Sequence, residues 1–194
     1  MSRLSGPCYN ETQRTRAILK RLVMIRRVPG QKVLYLDFDG VLHDEDVWWH
    51  SKLGVYMATP NRKLFEWMHI LEELLAPYPD IKIVLSTTWV AKRSFTYARR
   101  QLSPGLRKRV IGATFHSREM RRDEFGYLSR GMQIAGDVAR RQPAAWFALD
   151  DDTERWPAWL LQHLVATDGD FGLSDPAVQE AVRAKLASMY ATAG

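Results

Sequence analysis

Cysteine is almost absent from the sequence, and no long apolar run is present. Cys8 is the single cysteine, which excludes an internal disulfide and is typical of a reducing compartment. No cysteine and histidine residues stand at the spacing of a structural zinc site. No apolar stretch approaches the ~20 residues that a membrane-spanning helix needs. The N-terminal segment also lacks the apolar core of a secretion signal. We therefore expect a cytoplasmic protein without a membrane segment.

Acidic residues are scarce at the start of the chain. Residues 1–30 carry seven Lys or Arg residues against Glu11 alone, a net charge of +6 that equals the formal charge of the whole 194-residue chain. Residues 11–27 have the pattern of an amphipathic helix, which would pack on the domain, lie along nucleic acid or serve as a transit segment. We expect a basic N-terminal helical extension over residues 1–30 and one globular domain over residues 31–194.

A second basic segment runs from Lys92 to Arg122, where ten Lys and Arg residues accompany one acid, Glu119. A solvated basic face would explain this segment, and so would a surface that binds a polyanion. The acids gather elsewhere, at residues 37–46 and 150–154. This division of charge would allow the molecule to hold a polyanion on one side and a metal ion on the other.

The stretch Val33–Leu42 contains the first candidate site, because an apolar run rich in β-formers leads into Asp37 and Asp39. An apolar strand without alternation is typical of a parallel sheet covered on both faces. Ligands bind such sheets beyond the carboxyl ends of the strands. Neighbouring carboxylates repel each other, and a hard cation such as Mg²⁺ would relieve the repulsion. A solvated turn is the alternative, whereas Val41 and Trp48 occupy ligand positions of a calcium loop and exclude it.

Further strands are predicted at intervals, with helices between them. The strands cover residues 81–86, 110–115, 145–149 and 164–167. Helices are predicted from Thr59-Pro60 to Leu75, from Ala91 to Leu102, from Arg130 to Arg141, and from Pro176 onward. Residues 41–56 are expected to form a compact excursion over the site. The alternation predicts an α/β fold of the three-layer Rossmann-like type, with a central, mostly parallel five-stranded sheet and a minimal cap.

Two of the later strands also end in side chains that suit phosphate or metal chemistry. Ser86 and Thr87 follow the second predicted strand, where their hydroxyls would bond a phosphate oxygen or cap the next helix. Asp150, Asp151 and Asp152 follow the fourth predicted strand. Acidic clusters on parallel strands converge at one edge of the sheet, where together they can coordinate a metal ion.

In their order along the chain, these motifs resemble a known superfamily. Asp37-Phe38-Asp39-Gly40-Val41, then Ser86, then Asp150-Asp151, each at the end of a strand, resemble the haloacid dehalogenase-like (HAD) phosphatases. Over about residues 31–190 the chain is most similar to the HAD domain of Swiss Army Knife RNA repair proteins. The segments that carry this likeness are Leu85-Ser86-Thr87-Thr88-Trp89, Arg130-Gly131-x-x-Ile134, Ala148-Leu149-Asp150-Asp151-Asp152 and Gly172-Leu173-Ser174.

The resemblance implies catalytic and metal-binding roles for the acids. Asp37 would be the nucleophile that forms an aspartyl-phosphate. Asp39 would protonate the leaving group and then activate water. Asp37, Asp150 and Asp151 would hold Mg²⁺ together with the backbone carbonyl of Asp39.

The resemblance also implies groups that bind the phosphoryl group. Ser86 would bond its oxygens, with Thr87 beside it, and Arg130 would neutralise its charge. Lys92 and Arg93 are the rival candidates for the cation. The need for such groups does not depend on the family, because catalysis of phosphoryl transfer is mostly positioning plus charge neutralisation.

The spacing of the motifs bears on the substrate. About 45 residues separate Asp39 from Ser86, which leaves little room for a large cap domain. An open site would admit a macromolecular end, so we expect phosphate removal from an RNA or DNA terminus or from a nucleotide. The chain contains no Gly-x-x-x-x-Gly-Lys-Ser/Thr loop and hence no kinase half. The alternatives are a non-catalytic nucleic-acid- or partner-binding module and a phosphotransferase.

Overall fold

The computed structural model describes residues 30–52 and 54–191. The strands are β1 (Lys32–Leu36), β2 (Val47–His50), β3 (Gly54–Met57), β4 (Lys82–Leu85), β5 (Val110–Ala113), β6 (Ala145–Asp150) and β7 (Leu164–Ala166). The helices are α1 (Met68–Leu75), α2 (Thr88–Lys92), α3 (Phe95–Gln101), α4 (Pro104–Arg109), α5 (Arg122–Gly126), α6 (Arg130–Arg141) and α7 (Pro176–Ala191). Short 3₁₀ helices cover Ala158–His163 and Gly172–Ser174. The predicted helix at residues 11–27 lies outside the described residues.

A five-stranded parallel sheet forms the centre of the fold, in the order β5-β4-β1-β6-β7. Strand β1 is the middle strand, and it pairs with β4 through Leu36 and Leu85 and with β6 through Leu36 and Leu149. The sheet confirms the predicted α/β class and the parallel five-stranded arrangement. Every residue of β1 after Lys32 is fully buried, as its unbroken apolar sequence indicated.

Alternate residues of β1 enter different hydrophobic clusters on the two faces of the sheet. Leu34 and Leu36 belong to a cluster that includes residues of α1 and α7. Val33 and Tyr35 belong to a second cluster with Ile134 of α6. Successive strand residues point to opposite faces, so the sheet is covered on both sides. The three-layer prediction is therefore confirmed.

The predicted start of the helix at Thr59-Pro60 is wrong, because α1 begins only at Met68. Asn61 and Phe65 have positive φ values of 65° and 61°, which interrupt a right-handed helix. The Thr59 hydroxyl bonds the carboxylate of Asp44 at 3.3 Å, so Thr59 does not cap the helix. The Thr-Pro pair is compatible with an N-cap but does not ensure that a helix follows.

The predicted single helix from Ala91 to Leu102 is also wrong, because two shorter helices, α2 and α3, cover this region. Between them, Ser94 is extended, and its hydroxyl accepts a hydrogen bond from the Tyr97 N–H at 3.1 Å. This N-cap begins a new helix where the periodicity suggested a continuous one. The predicted helices at Arg130–Arg141 and from Pro176 onward match α6 and α7.

The segment between β1 and α1 forms an antiparallel hairpin of β2 and β3. Val47 and Val55 of this hairpin pack against the core, which attaches the hairpin to the domain. The hairpin is the compact excursion that the sequence predicted. Among the described residues, no helix is long and apolar enough to cross a membrane.

Candidate active site

The polar strand ends of β1, β4 and β6 lie at one edge of the sheet. The Asp37 N–H donates to the carbonyl of Leu149 at 3.1 Å, and the Ser86 N–H donates to the carbonyl of Leu36 at 2.8 Å. These bonds extend the sheet pairing by one residue beyond β1 and β4. Asp37 and Ser86 thus follow β1 and β4, and Asp150 is the last residue of the neighbouring β6, although up to 113 positions separate them along the chain.

Three carboxylates meet at this edge. Oxygen atoms of Asp37, Asp150 and Asp151 all lie within 4.8 Å of one another. Gly40 permits this approach, because its φ is +63° and a Cβ at this position would lie 2.3 Å from Asp151 Oδ2. The Thr167 hydroxyl donates to the Gly40 carbonyl at 2.7 Å and holds the turn after β1 against the strand end of β7.

Burial dominates the electrostatics of the carboxylate cluster. Burial raises the pKa of Asp37, the Arg130 guanidinium opposes this, and the Asp39 charge raises it further. Burial and the charge of Asp37 raise the pKa of Asp150 well above its usual value. The same two causes raise the pKa of Asp151 to about 7. The cluster therefore holds its negative charge at a free-energy cost that a bound cation would remove.

Arg130, at the start of α6, is the cation that contacts the cluster. Its Nη2 lies 2.8 Å from Asp37 Oδ2, and its Nε lies 3.3 Å from Asp150 Oδ2. Burial lowers the pKa of Arg130, but Asp37 and Asp150 more than compensate, so the net pKa is raised and the guanidinium stays charged. Gly131 lets α6 approach closely, because a Cβ there would lie 2.9 Å from the Trp156 ring.

The composition of the cluster suits a magnesium ion. Among the described residues, three carboxylates face one guanidinium, so negative charge is in excess once all three carboxylates are ionised. Asp150 Oδ2 is buried and, apart from its ion pair with Arg130, makes no hydrogen bond among the described residues. All the available ligand atoms are carboxylate oxygens, which Mg²⁺ prefers over nitrogen or sulfur ligands. Asp37, Asp150 and Asp151 are thus the residues that could hold the ion.

Ser86 and Thr87 differ in how their hydroxyls are used. The Thr87 hydroxyl accepts a hydrogen bond from the Trp89 N–H at 3.3 Å and caps α2. The Ser86 hydroxyl is buried and has no partner among the described residues. An unsatisfied buried hydroxyl is costly, so Ser86 is the better candidate for bonding a ligand.

The Asp39 side chain lies outside the carboxylate cluster and has two partners of its own. The Trp89 indole N–H donates to both Asp39 oxygens, at 2.8 and 3.0 Å. His43 Nε2 lies 3.2 Å from Asp39 Oδ1. Neither residue has a role that the sequence predicted. Trp89 was visible in the strand-end motif, but nothing in the sequence paired either residue with Asp39.

Lys92 and Arg93, the rival candidates for the phosphate cation, lie away from the cluster. They line a cleft of about 310 Å³ between the hairpin and α2, together with Asp39, Trp49 and Trp89. The structure thus brings Asp37, Arg130, Asp150 and Asp151 into contact and leaves Lys92 and Arg93 on the Asp39 side.

A parallel sheet that carries paired aspartates after its central strand and further acids after a neighbouring strand is the arrangement of haloacid dehalogenase-like domains. The chain belongs to the family described as the HAD domain in Swiss Army Knife RNA repair proteins, whose model matches residues 33–178. Membership supports a phosphatase-type function. No curated protein and no solved structure matches the chain.

Proposed function

We propose that this protein is a magnesium-dependent phosphomonoesterase that acts through an aspartyl-phosphate, on a nucleic-acid end or a nucleotide. The observation that carries the proposal is the meeting of Asp37, Asp150 and Asp151 within 4.8 Å beside a buried guanidinium. A purely structural cluster would have no need for two buried carboxylates and a half-buried third one beside a single guanidinium, since each buried charge costs stability.

Asp37 is the proposed nucleophile. The Phe38 N–H donates to its Oδ1 at 2.7 Å and Arg130 bonds its Oδ2 at 2.8 Å, so the carboxylate is oriented and its charge is supported. A carboxylate oxygen of Asp37 attacks phosphorus, and the ester P–O bond breaks. The leaving oxygen takes a proton from Asp39, which must be protonated at this point.

Asp39 is the proposed acid and base. In the second half of the reaction it accepts a proton from water, whose oxygen attacks phosphorus. The bond between phosphorus and Asp37 breaks, and inorganic phosphate leaves. Asp39 ends protonated and Asp37 ionised, as at the start, so the net reaction consumes one phosphomonoester and one water. Trp89 and His43 orient the Asp39 carboxylate for both transfers.

The phosphoryl group is held by Ser86 and Arg130 in this proposal, with Thr87 at the start of α2 beside them. Ser86 offers a buried hydroxyl without another partner among the described residues. Asp37, Asp150 and Asp151 would hold Mg²⁺ with the Asp39 carbonyl. When bound, the ion supplies positive charge that offsets the negative charge of the phosphoryl oxygens.

The test is hydrolysis of a generic aryl phosphate by the purified protein with and without Mg²⁺. Asp37→Asn should lower kcat by at least about 10³-fold, since the nucleophile is lost. Asp152→Asn is the matched control, because it removes an adjacent exposed acid that is not in the cluster. Activity that survives Asp37→Asn would refute the nucleophile. Transfer of the phosphoryl group to an added alcohol instead of water would identify a phosphotransferase.

A further inference from the structure

The cleft on the Asp39 side of the site has its own chemical character. It lies between the β2–β3 hairpin and α2, and Asp39, Trp49, Lys92 and Arg93 are among its lining residues. In the proposed function Asp39 gives its proton to the leaving oxygen, so the leaving group must lie on this side. The residues of the cleft therefore contact the leaving group, which is the part of the substrate to which the phosphate is esterified.

An exposed tryptophan forms one wall of this cleft. Trp49 is 55% exposed, although large aromatic side chains usually bury most of their surface. Because strand residues alternate, Trp49 faces the same side of the hairpin as Val47 and Val55, which pack toward the core. Trp49 therefore lies on the cleft side of the hairpin, while much of its surface remains free for a ligand.

Unpaired cations adjoin this tryptophan. The Arg93 guanidinium lies 4.5 Å from the centre of the Trp49 ring, and Lys92 lines the same cleft. Among the described residues, no carboxylate pairs with Lys92 or Arg93. Several other cations of the basic segment are already engaged with backbone carbonyls or an acid: Arg99, Arg107, Arg109 and Arg121. Free positive charge is thus available beside the aromatic wall.

We infer that this cleft is a nucleoside subsite for the end of a single nucleic-acid strand, an inference that rests on the proposed function. The terminal base stacks on Trp49 and the Arg93 guanidinium, and the next phosphate along the strand lies against Lys92 and Arg93. Base stacking on aromatic rings is tolerant of sequence, and nearby cations follow the phosphate backbone. A sugar phosphate offers no flat face to the ring and only one phosphate, so it would use neither feature.

The first experiment separates the base from the phosphate. It compares kcat/KM for a phosphorylated mononucleoside, with the phosphate at the 3′ or the 5′ position, against 2-deoxyribose 5-phosphate, which has no base. Trp49→Leu should lower kcat/KM for the nucleotide by about 10- to 100-fold. It should leave the value for the sugar phosphate within about 3-fold, and Trp49→Tyr should restore most of the loss.

A matched control addresses general effects of losing a tryptophan. Trp159 is 63% exposed, does not line the cleft and lies in the 3₁₀ helix Ala158–His163. Trp159→Leu should leave every substrate unaffected. An equal loss of kcat/KM on the nucleotide and the sugar phosphate in Trp49→Leu would overturn the inference, as would no loss on either.

The second experiment tests the cations. The double variant Lys92→Gln, Arg93→Gln should lose about 10-fold more binding affinity for a trinucleotide with a terminal phosphate than for a mononucleotide. Only the trinucleotide carries further phosphates. The slope of log affinity against log salt concentration for the trinucleotide should also decrease by an amount that corresponds to one or two phosphate contacts. An equal effect on both substrates would contradict the placement of the second phosphate.

The inference and the proposed function can fail separately. Quenching of tryptophan fluorescence measures the binding of an oligonucleotide to the Asp37→Asn protein, in which no turnover is expected. Quenching that is lost in Trp49→Leu but kept in Trp159→Leu supports the subsite even if no substrate is hydrolysed. Hydrolysis that depends on Asp37, with no difference between base-bearing and base-free substrates, supports the phosphatase and overturns the subsite.

Discussion

Gly40 controls how closely the first strand end approaches the third carboxylate. A methyl group at this position would lie 2.3 Å from Asp151 Oδ2, and the φ of +63° further disfavours any side chain. Gly40→Ala should therefore displace Asp151 and lower kcat by about 10²-fold, a loss that a displacement of about 1 Å in an active site can cause.

The measurement for Gly40 is steady-state kinetics with saturating Mg²⁺, together with thermal unfolding. Gly126→Ala is the control, because a Cβ there meets nothing within 4 Å. Full activity in Gly40→Ala would show that Asp151 does not need its present position.

Asp151 also makes the stability of the protein depend on pH. Burial and the Asp37 charge raise its folded pKa from 3.8 to about 7. A carboxyl with a raised folded pKa contributes stability below its unfolded pKa, and that contribution is lost as the pH rises to the folded value. Without Mg²⁺, the free energy of unfolding should therefore fall between about pH 4 and pH 7.

Urea unfolding in the presence of a chelator, at a series of pH values, measures this dependence. Asp151→Asn removes one of the groups that lose protons in this range, so its stability should fall less steeply with pH. A wild-type curve that rises steadily from pH 4 to pH 7, or an unchanged slope in the variant, would contradict the assignment.

At the scale of secondary structure, helix α6 is joined to the sheet by a buried polar cluster. Asp137 is fully buried, accepts a hydrogen bond from the Tyr35 hydroxyl at 3.0 Å, and pairs with Arg140 and Arg141 at 3.0 and 2.8 Å. This cluster fixes the position of α6 relative to β1, and with it the position of Arg130 at the start of α6.

Asp137→Ala should destabilise the protein by about 3–5 kcal/mol, because it leaves buried guanidinium groups without their carboxylate. Tyr35→Phe removes only one hydrogen bond and should cost about 1 kcal/mol. Urea unfolding monitored by tryptophan fluorescence gives both values. Equal costs for the two variants would argue against a charge cluster centred on Asp137.

The strands were predictable because their signal is local. Each of the first, second and fourth predicted strands is an apolar run that ends directly in acids or hydroxyls, such as Asp37, Ser86 and Asp150. In a parallel sheet the carboxyl ends of all strands lie at the same edge, so the sequence predicts that these side chains share one edge. Their close approach also requires β1 to lie between β4 and β6, which the order of the motifs along the chain does not specify.

The helix boundaries and the partners of Asp39 were not predictable in the same way. The start of α1 depends on Phe65, whose ring packs edge-on against Phe38 and Trp89 and whose positive φ breaks the helical pattern. His43 lies four residues after Asp39 in the same segment, whereas Trp89 reaches Asp39 from α2, 50 residues further along the chain. The contacts of Trp89 and Phe65 are tertiary, and no periodicity in a single sequence encodes them.

At the scale of the whole molecule, the charges are sorted around one sheet edge. Carboxylates occupy the centre of the edge, Arg130 lies among them, and free cations lie in the cleft beside Asp39. In the part of the chain that the structure describes, three of the ten cations in the basic segment from Lys92 to Arg122 bond backbone carbonyls and so support the fold, and these are Arg99, Arg107 and Arg109. In the proposed function, the domain therefore presents an anion to phosphorus and cations to the rest of the substrate.

The most direct test of the account is a chemical trap for the phosphorylated nucleophile. Asp39→Asn is mixed with an aryl phosphate and Mg²⁺, quenched with acid and digested, and the peptide that contains Asp37 is analysed by mass spectrometry. An aryl leaving group departs with little help from an acid, whereas hydrolysis of the intermediate still needs Asp39 as base. We predict one phosphoryl group on Asp37, which is absent without Mg²⁺ and absent in Asp37→Asn. Turnover by the wild-type protein with no phosphoryl group on Asp37 in this variant, or with the group on another residue, would contradict the account.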